Sequence, residues 1–400
     1  MVQLHIFDPV EKLRHLSRLW SRGSKRRQAL VADHALSTQA ILLIDDEASP
    51  EINEQAKHVV CGRELVRDSE YYKDEAGDGL CIFRAGNVLF RVHRCLLMRE
   101  PSVFRDMLSL PRPAGATDGV NDDNPIPVDD DPEHLRDLLW AFYAPPSQFC
   151  LYTTSNHVPL ERLLNIADLA NKYCIDFYES WSMEKVYSMM KEDPRILRTG
   201  SPETCARILH LAYINRHSNL YDLATRSIVS RLLWSDLDPR PIRDVGKRHG
   251  LRKILGPAYY RELLRLEAED SSSNAKYSAD LDASRKAFSE ARMAFLCLWE
   301  RLRDSQPSLS HRDCWTSPQA CNEVWRTTWR EATAGSHCQR NPPLDVLGRL
   351  RSAMRYCKKN LPANGGICIS CTMEALEAIA ATRDDVIERL YSYFCPQSEQ

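Results

Sequence analysis

The residue types with the greatest chemical reach in this sequence are its cysteines and histidines. Cys368-Ile369-Ser370-Cys371 sets two thiols three positions apart, a spacing that supplies half of a tetrahedral zinc site or a dithiol redox pair. A structural zinc needs two more ligands, and His311, Cys314, Cys321, His337, Cys338 and Cys357 are available in the same part of the chain. None of these forms a second Cys-x-x-Cys, and no strand–helix–strand pattern of the redox kind surrounds the pair. The sequence therefore predicts ordinary helix-end cysteines and no metal or cofactor, with Cys368 and Cys371 as the metal candidates if one binds.

Other constellations dissolve on inspection. His311-Arg312-Asp313 copies a kinase catalytic-loop triplet, but that pattern needs Asn five residues after the Asp, and the nearest is Asn322. Gly77-x-Gly79 lacks the third glycine of a phosphate loop. Ser182-x-x-Lys185 has the serine–lysine spacing without its companion motifs. His93 lies between a β-prone run and a helical one. It is expected to hydrogen-bond backbone there, since no orienting carboxylate or nucleophile can be assigned to it. Asp129-Asp130-Asp131 reads as a solvated turn whose last member caps a helix. Lys25-Arg26-Arg27 with Arg22 reads as a solvated basic run. No catalytic residue is assigned, and the chain is not expected to be an enzyme.

The elements that would position these residues follow from pattern and composition. Four hundred residues allow two or three domains, and 43% hydrophobic content is enough to build their cores. With 53 Lys+Arg against 55 Asp+Glu, the chain has no electrostatic reason to bind nucleic acid or a membrane surface. Glycine, 15 in 400, is scarce for a nucleotide-binding enzyme. The longest apolar stretch, 35–44, is about half of a ~20-residue membrane span. Fourteen cysteines are too dilute for a disulfide scaffold, and no secretion signal or glycosylation sequon is visible. A reducing compartment, cytoplasm or nucleus, is expected.

Along the chain, 1–70 reads as a charged N-terminal extension. The runs 80–84 and 88–92, separated by Ala85-Gly86-Asn87, predict a hairpin with Val88, Phe90 and Val92 on one face. Residues 93–99 look helical, Ser102 caps a helix over 103–108, 111–125 is loop and 126–129 a short strand. Asp131-Pro132-Glu133 starts a helix bearing Leu135, Leu138, Leu139, Phe142 and Tyr143. After a loop at 145–158, Leu160, Leu163, Leu164, Ala167, Ala170 and Cys174 mark another helix, and 178–190 a third. Everything beyond reads as helix: a start at Ser201-Pro202-Glu203, then 220–233, 344–357 and 373–394. Leu281, Phe288, Phe295 and Leu302 recur every seven residues, with Ala291 and Leu298 between them. They form either a helix face inside its own domain or a coiled-coil seam.

The block 78–190 resembles a BTB/POZ domain. The resemblance rests on the hairpin, Phe90-x-Val92-His93-Arg94, Leu96-Leu97, Ser102-x-Phe104-x-x-Met107-Leu108, the strand at 126–129, Trp140–Tyr143, and Leu163-Leu164-x-x-Ala167 with Tyr173. It is similar to the fungal branch, where a helical extension bearing Trp and Cys follows. Trp299, Trp315, Trp325 and Trp329, with Pro342-Pro343-x-Asp345-Val346-Leu347, suit that picture. The resemblance implies an α+β domain (a short sheet packed with helices) at 71–192 followed by an all-α C-terminal half, 193–268 and 269–400. It implies a core signature of Phe90, His93, Leu97, Ser102, Phe104 and Met107. It also implies a homodimer through a surface near Asp78, Leu80, Arg94 and Leu96, and a second, protein partner. A cullin is the alternative partner, although Leu110-Pro111-Arg112 stands where cullin-binding members carry a hydrophobic-x-Glu motif. A zinc-stabilised nuclear regulator is the alternative outside that class.

Overall fold

Two β-prone runs joined by a glycine turn organise the first part of the chain. β2 (Leu80–Ala85) and β3 (Val88–His93) pair antiparallel from Leu80↔His93 to Ala85↔Val88. That register leaves Gly86 and Asn87 as the connection, and Gly86 takes φ 56°, which glycine adopts without a Cβ penalty. The computed structural model describes residues 65–74, 79–111, 117–145, 158–270, 288–362 and 365–395. The basic run at 22–27, Asp78, Leu281 and most of the polar patch at 269–274 lie outside them. The chain divides into two units at Met189/Met190.

The first unit is a four-stranded sheet with helices. Its strand order is β1-β3-β2-β4, where β1 (Val66–Tyr72) lies parallel to β3 and β4 (Ile126–Val128) parallel to β2. The strand Val66–Tyr72 thus starts inside the stretch read as an extension. Val66-Arg67-Asp68-Ser69-Glu70 hides its strand character because its inward residue is Asp68, not an apolar one. Asp68 Oδ1 accepts the N–H groups of Glu70 (3.0 Å) and Tyr71 (2.8 Å), and Oδ2 accepts Nε (3.0 Å) and Nη2 (2.7 Å) of Arg136. Burial alone would raise this carboxyl's pKa; the bonds from Tyr71, Arg136 and Glu70 outweigh it and hold it below the usual range. The sheet is covered on both faces, since Ile82 and Leu89 are buried as fully as Phe90 and Val92.

Helices α1 (Arg94–Leu97) and α2 (Val103–Ser109) follow, the second capped by Ser102 through Arg105 N–H. In α3 (Pro132–Tyr143), Asp131 caps Glu133 N–H at 2.8 Å, and Leu135, Leu138, Leu139 and Phe142 form the buried stripe. α4 (Leu160–Lys172) ends earlier than its apolar pattern implies, because Cys174 turns left-handed at φ 56°. α5 (Asp176–Glu192) completes the run. Phe104 stacks on Tyr173 at 4.2 Å and meets Phe83 edge-on at 5.7 Å, which joins α2, the end of α4 and the sheet.

The second unit is all helix among the described residues: α6 (Arg195–Thr199), α7 (Pro202–Ile214), α8 (Ser218–Trp234), α9 (Pro239–His249), α10 (Arg252–Asp270), α11 (Ser289–Asp304), α12 (Pro318–Ala334), α13 (Ser336–Gln339), α14 (Val346–Asn360) and α15 (Ile369–Phe394). Tyr260, Leu263 and Leu266 of α10 share one hydrophobic cluster with Phe295, Trp299, Trp325, Trp329 and Leu350, so no separate core begins at 269. Phe288, Ala291 and Phe295 of the heptad face are buried in that same cluster. Gly256 lets α10 close on α15, where a Cβ would lie 2.6 Å from Tyr391 N. Tyr260 Oη donates to Asp345 Oδ1 (3.0 Å) and accepts Leu347 N–H (3.2 Å), fixing the start of α14. No helix of the described residues is long and apolar enough to cross a membrane.

Two measurements check this packing. Phe104→Ala should cost about 3–5 kcal/mol in urea unfolding, while the half-buried Met107→Ala costs clearly less. For Asp68 the folded pKa is depressed, so its stabilisation is complete above about pH 4 and is lost as pH falls through the lower folded value. Asp68→Asn should be weaker near neutrality, by up to about 3–5 kcal/mol for a broken buried pair, and should lose less on acidification than the parent.

Candidate functional site

Most of the signature residues of the first unit are structural. Phe90, Leu97, Ser102 and Phe104 are buried; Met107 is half-buried, and its neighbour Leu108 takes the core position instead. His93 does sit at the strand–helix junction. Its backbone N–H donates to Tyr143 Oη at 3.0 Å, and its Nδ1 lies 2.9 Å from the same oxygen. One hydroxyl thus accepts from the backbone and has its own proton to offer the ring, tying β3 to the end of α3. Arg94 donates from Nη2 to the Leu108 carbonyl at 3.0 Å, so within its own chain it fastens α1 to α2. Leu80 and Leu96 are partly exposed and Cys95 is exposed, while Asp78 lies outside the described residues.

The other nominated groups are committed elsewhere. Ser182 is buried and its hydroxyl donates to the Tyr178 carbonyl at 2.7 Å. Asp313 is exposed. The acidic triplet is not a solvated turn throughout, because Asp130 is buried, accepting Lys172 Nζ at 2.6 Å and the Tyr173 hydroxyl. An open groove of about 1420 Å³ lies among α8, α10 and α15; two of the arginines at its rim are paired, Arg383 with Asp384 and Arg389 with Asp385.

The cysteines behave differently from their sequence reading. Cys368 is the N-cap of α15, its sulfur accepting Cys371 N–H at 3.4 Å, so the helix-end placement holds. What the spacing did not reveal is that Cys314 and Cys321 join them. The four Sγ atoms all lie within 4.8 Å of one another, with Cys314 3.8 Å from Cys321 and 4.0 Å from Cys368. Among the described residues this is the one cluster of three or more His, Cys, Asp or Glu side chains able to hold a metal ion. Cys321, Cys368 and Cys371 are buried as a small cluster beside Leu309 and Ile367, which also pack against the tryptophan core.

The surroundings supply donors to sulfur. Cys368 N–H points at Cys321 Sγ (3.5 Å), the Thr316 hydroxyl lies 3.1 Å from Cys321 Sγ, and His311 Nδ1 lies 3.3 Å from Cys371 Sγ. The Cys368 thiol is pulled down to about 6, chiefly by the Cys371 N–H, whereas burial and the neighbouring thiols push Cys371 upward. By contrast, burial pushes the core thiol of Cys357 up to about 12. The loop that carries Cys314 is pinned at several points. Trp325 Nε1 donates to the Pro307 carbonyl (2.8 Å), and Glu374 accepts the N–H groups of Ser310 and His311. His311 itself is left-handed at φ 56°. Trp315 and Ile369, each next to a cluster cysteine, are 70% and 74% exposed.

The signal for the missing pair was present but indirect. Ser317-Pro318 repeats the cap-and-proline start of 131–133 and 201–203, placing Cys321 in the first turn of a helix as Cys371 is in another. No family model matches the sequence, and no curated protein or solved structure matches it either.

Tyr143→Phe should leave the His93 N–H and Nδ1 without their shared partner. The expected loss is about 1–3 kcal/mol in thermal or urea unfolding, with faster amide exchange at His93.

Proposed function

We propose that this chain is a non-enzymatic protein–protein interaction module of the BTB/POZ type, self-associating through its first unit and holding a second protein with its helical second unit. The observation that carries the reading is the order of elements over 80–192. A hairpin ends at His93, then come a short leucine-bearing helix, a Ser102-led helix ending in Phe104-x-x-Met107, a three-residue strand, a helix ending in Phe142-Tyr143, and the Leu163-Leu164-x-x-Ala167 helix with Tyr173. Two features give a partner something to cover: the half-exposed Leu80 and Leu96 on the first unit, and the exposed Trp315, Ile369 and Met373 on the second. Leu110 is exposed where cullin-binding members carry their hydrophobic residue, but Arg112 stands in place of the glutamate, so the reading does not include a cullin. The reading places the chain in the cytoplasm or nucleus.

The test is the solution mass of the full chain by sedimentation at micromolar concentration. A dimer is expected, and Leu96→Arg should weaken it by about 30-fold, the roughly 2 kcal/mol of an interface hot spot, without lowering the thermal midpoint. A monomeric parent chain overturns the self-association.

A further inference from the structure

We infer that the second unit is a zinc protein, with Cys314, Cys321, Cys368 and Cys371 as the four ligands of one structural Zn²⁺. The four sulfurs are spaced as a zinc site requires. Tetrahedral zinc binds thiolate at about 2.3 Å, so the edges of its sulfur tetrahedron are about 3.8 Å. The sulfurs here stand 3.8 Å and 4.0 Å apart along two edges and within 4.8 Å along all of them. A disulfide needs about 2.05 Å, and the structure holds all four as free thiols.

Chemistry narrows the choice of ion to soft, thiolate-binding metals, of which zinc is the one inferred. Four soft sulfur ligands in a tetrahedral setting, with no carboxylate in the set, suit zinc and exclude calcium and magnesium. All four positions are taken by protein, which describes a closed structural site with no place for a catalytic water. On binding, Zn²⁺ replaces four thiol protons, which pass to solvent, and the centre keeps a net charge of −2. Sulfur carrying that charge needs donors, and they are in place: Cys371 N–H at Cys368, Cys368 N–H and the Thr316 hydroxyl at Cys321, and the His311 ring at Cys371. Plain hydrophobic packing does not ask for this arrangement, because the sulfurs are gathered against one another, although Leu309 and Ile367 link them to the large apolar cluster.

Connectivity gives the ion its purpose. Cys314 and Cys321 bracket the start of α12, and Cys368 and Cys371 the start of α15. One ion would therefore clamp two helix starts and the irregular loops that lead into them. The site lies wholly within the second unit and is independent of the self-association proposed for the first.

The experiment is metal analysis of the full chain purified without chelator. One zinc per chain is expected, falling to none in Cys321→Ser and in Cys368→Ser, and unchanged in Cys338→Ser, a buried cysteine outside the cluster. Because a ligand variant can fail to fold, the parent chain supplies a second readout. After metal removal, titration with Co²⁺ should give the visible bands of tetrahedral cobalt thiolate at one equivalent. Zn²⁺ should then bleach those bands and protect four thiols from a thiol reagent. A folded chain that carries no zinc and gives no thiolate–cobalt bands overturns the inference. So does zinc that persists in both ligand variants, or iron in its place.

Discussion

Four thiols gathered against one another where α12 and α15 begin are the constraint on which the second unit turns. The loop from Ser305 to Ser317 belongs to no helix or strand among the described residues, so its buried backbone groups need partners from elsewhere. One indole and one carboxylate provide several of them. Trp325 Nε1 reaches the Pro307 carbonyl and Glu374 receives the N–H groups of Ser310 and His311, while Trp329 Nε1 reaches the Leu302 carbonyl in the last turn of α11. Each of these donors and acceptors comes from α12 or α15, the helices whose starts the cysteines bracket. The tryptophans therefore face two ways, with rings in the apolar core and N–H groups on backbone carbonyls, Trp325 on the loop and Trp329 on α11.

The first unit uses a different fastening. Three acidic side chains, Asp68, Asp130 and Asp137, sit largely out of water, and each meets basic or amide groups from a helix: Arg136, Lys172, or Arg162 with Asn165. A buried pair of this kind adds little net stability over an apolar pair of the same shape, but a wrong strand register would strand the charge. Such pairs specify where β1 and α3 lie. The aromatic contacts of Phe104 with Tyr173 and Phe83 then supply the nonpolar burial.

The proposed roles of the two units follow from what each leaves uncovered. The first unit turns Arg94 inward to the Leu108 carbonyl, leaves Cys95 exposed and keeps Leu80 and Leu96 half-buried. The second buries Phe288, Ala291 and Phe295 of its heptad face and exposes Trp315 and Ile369 beside the sulfur cluster. A metal clamp there would hold those two apolar side chains on a fixed framework, and a surface held in that way loses less freedom when a partner covers it.

Local rules in the sequence determined the hairpin, the starts of α3 and α7, and the apolar stripes of α4, α8, α14 and α15. These features depend on residues within a few positions of each other: a glycine free to take positive φ, an Asp or Ser before a proline, apolar residues three and four apart. Tertiary structure alone decided three other things. It made Val66–Tyr72 a strand, because Asp68 is inward only when Arg136, 68 residues away, is there to meet it. It merged α10 with the tail, because the close approach at Gly256 is a property of two helices together. And it turned a lone Cys-x-x-Cys into a four-sulfur cluster, because Cys314 and Cys368 are 54 residues apart in the chain and 4.0 Å apart in space. Spacing along the chain reports ligands that share a turn; ligands supplied by two separate helix starts become neighbours only when the core between those helices has packed.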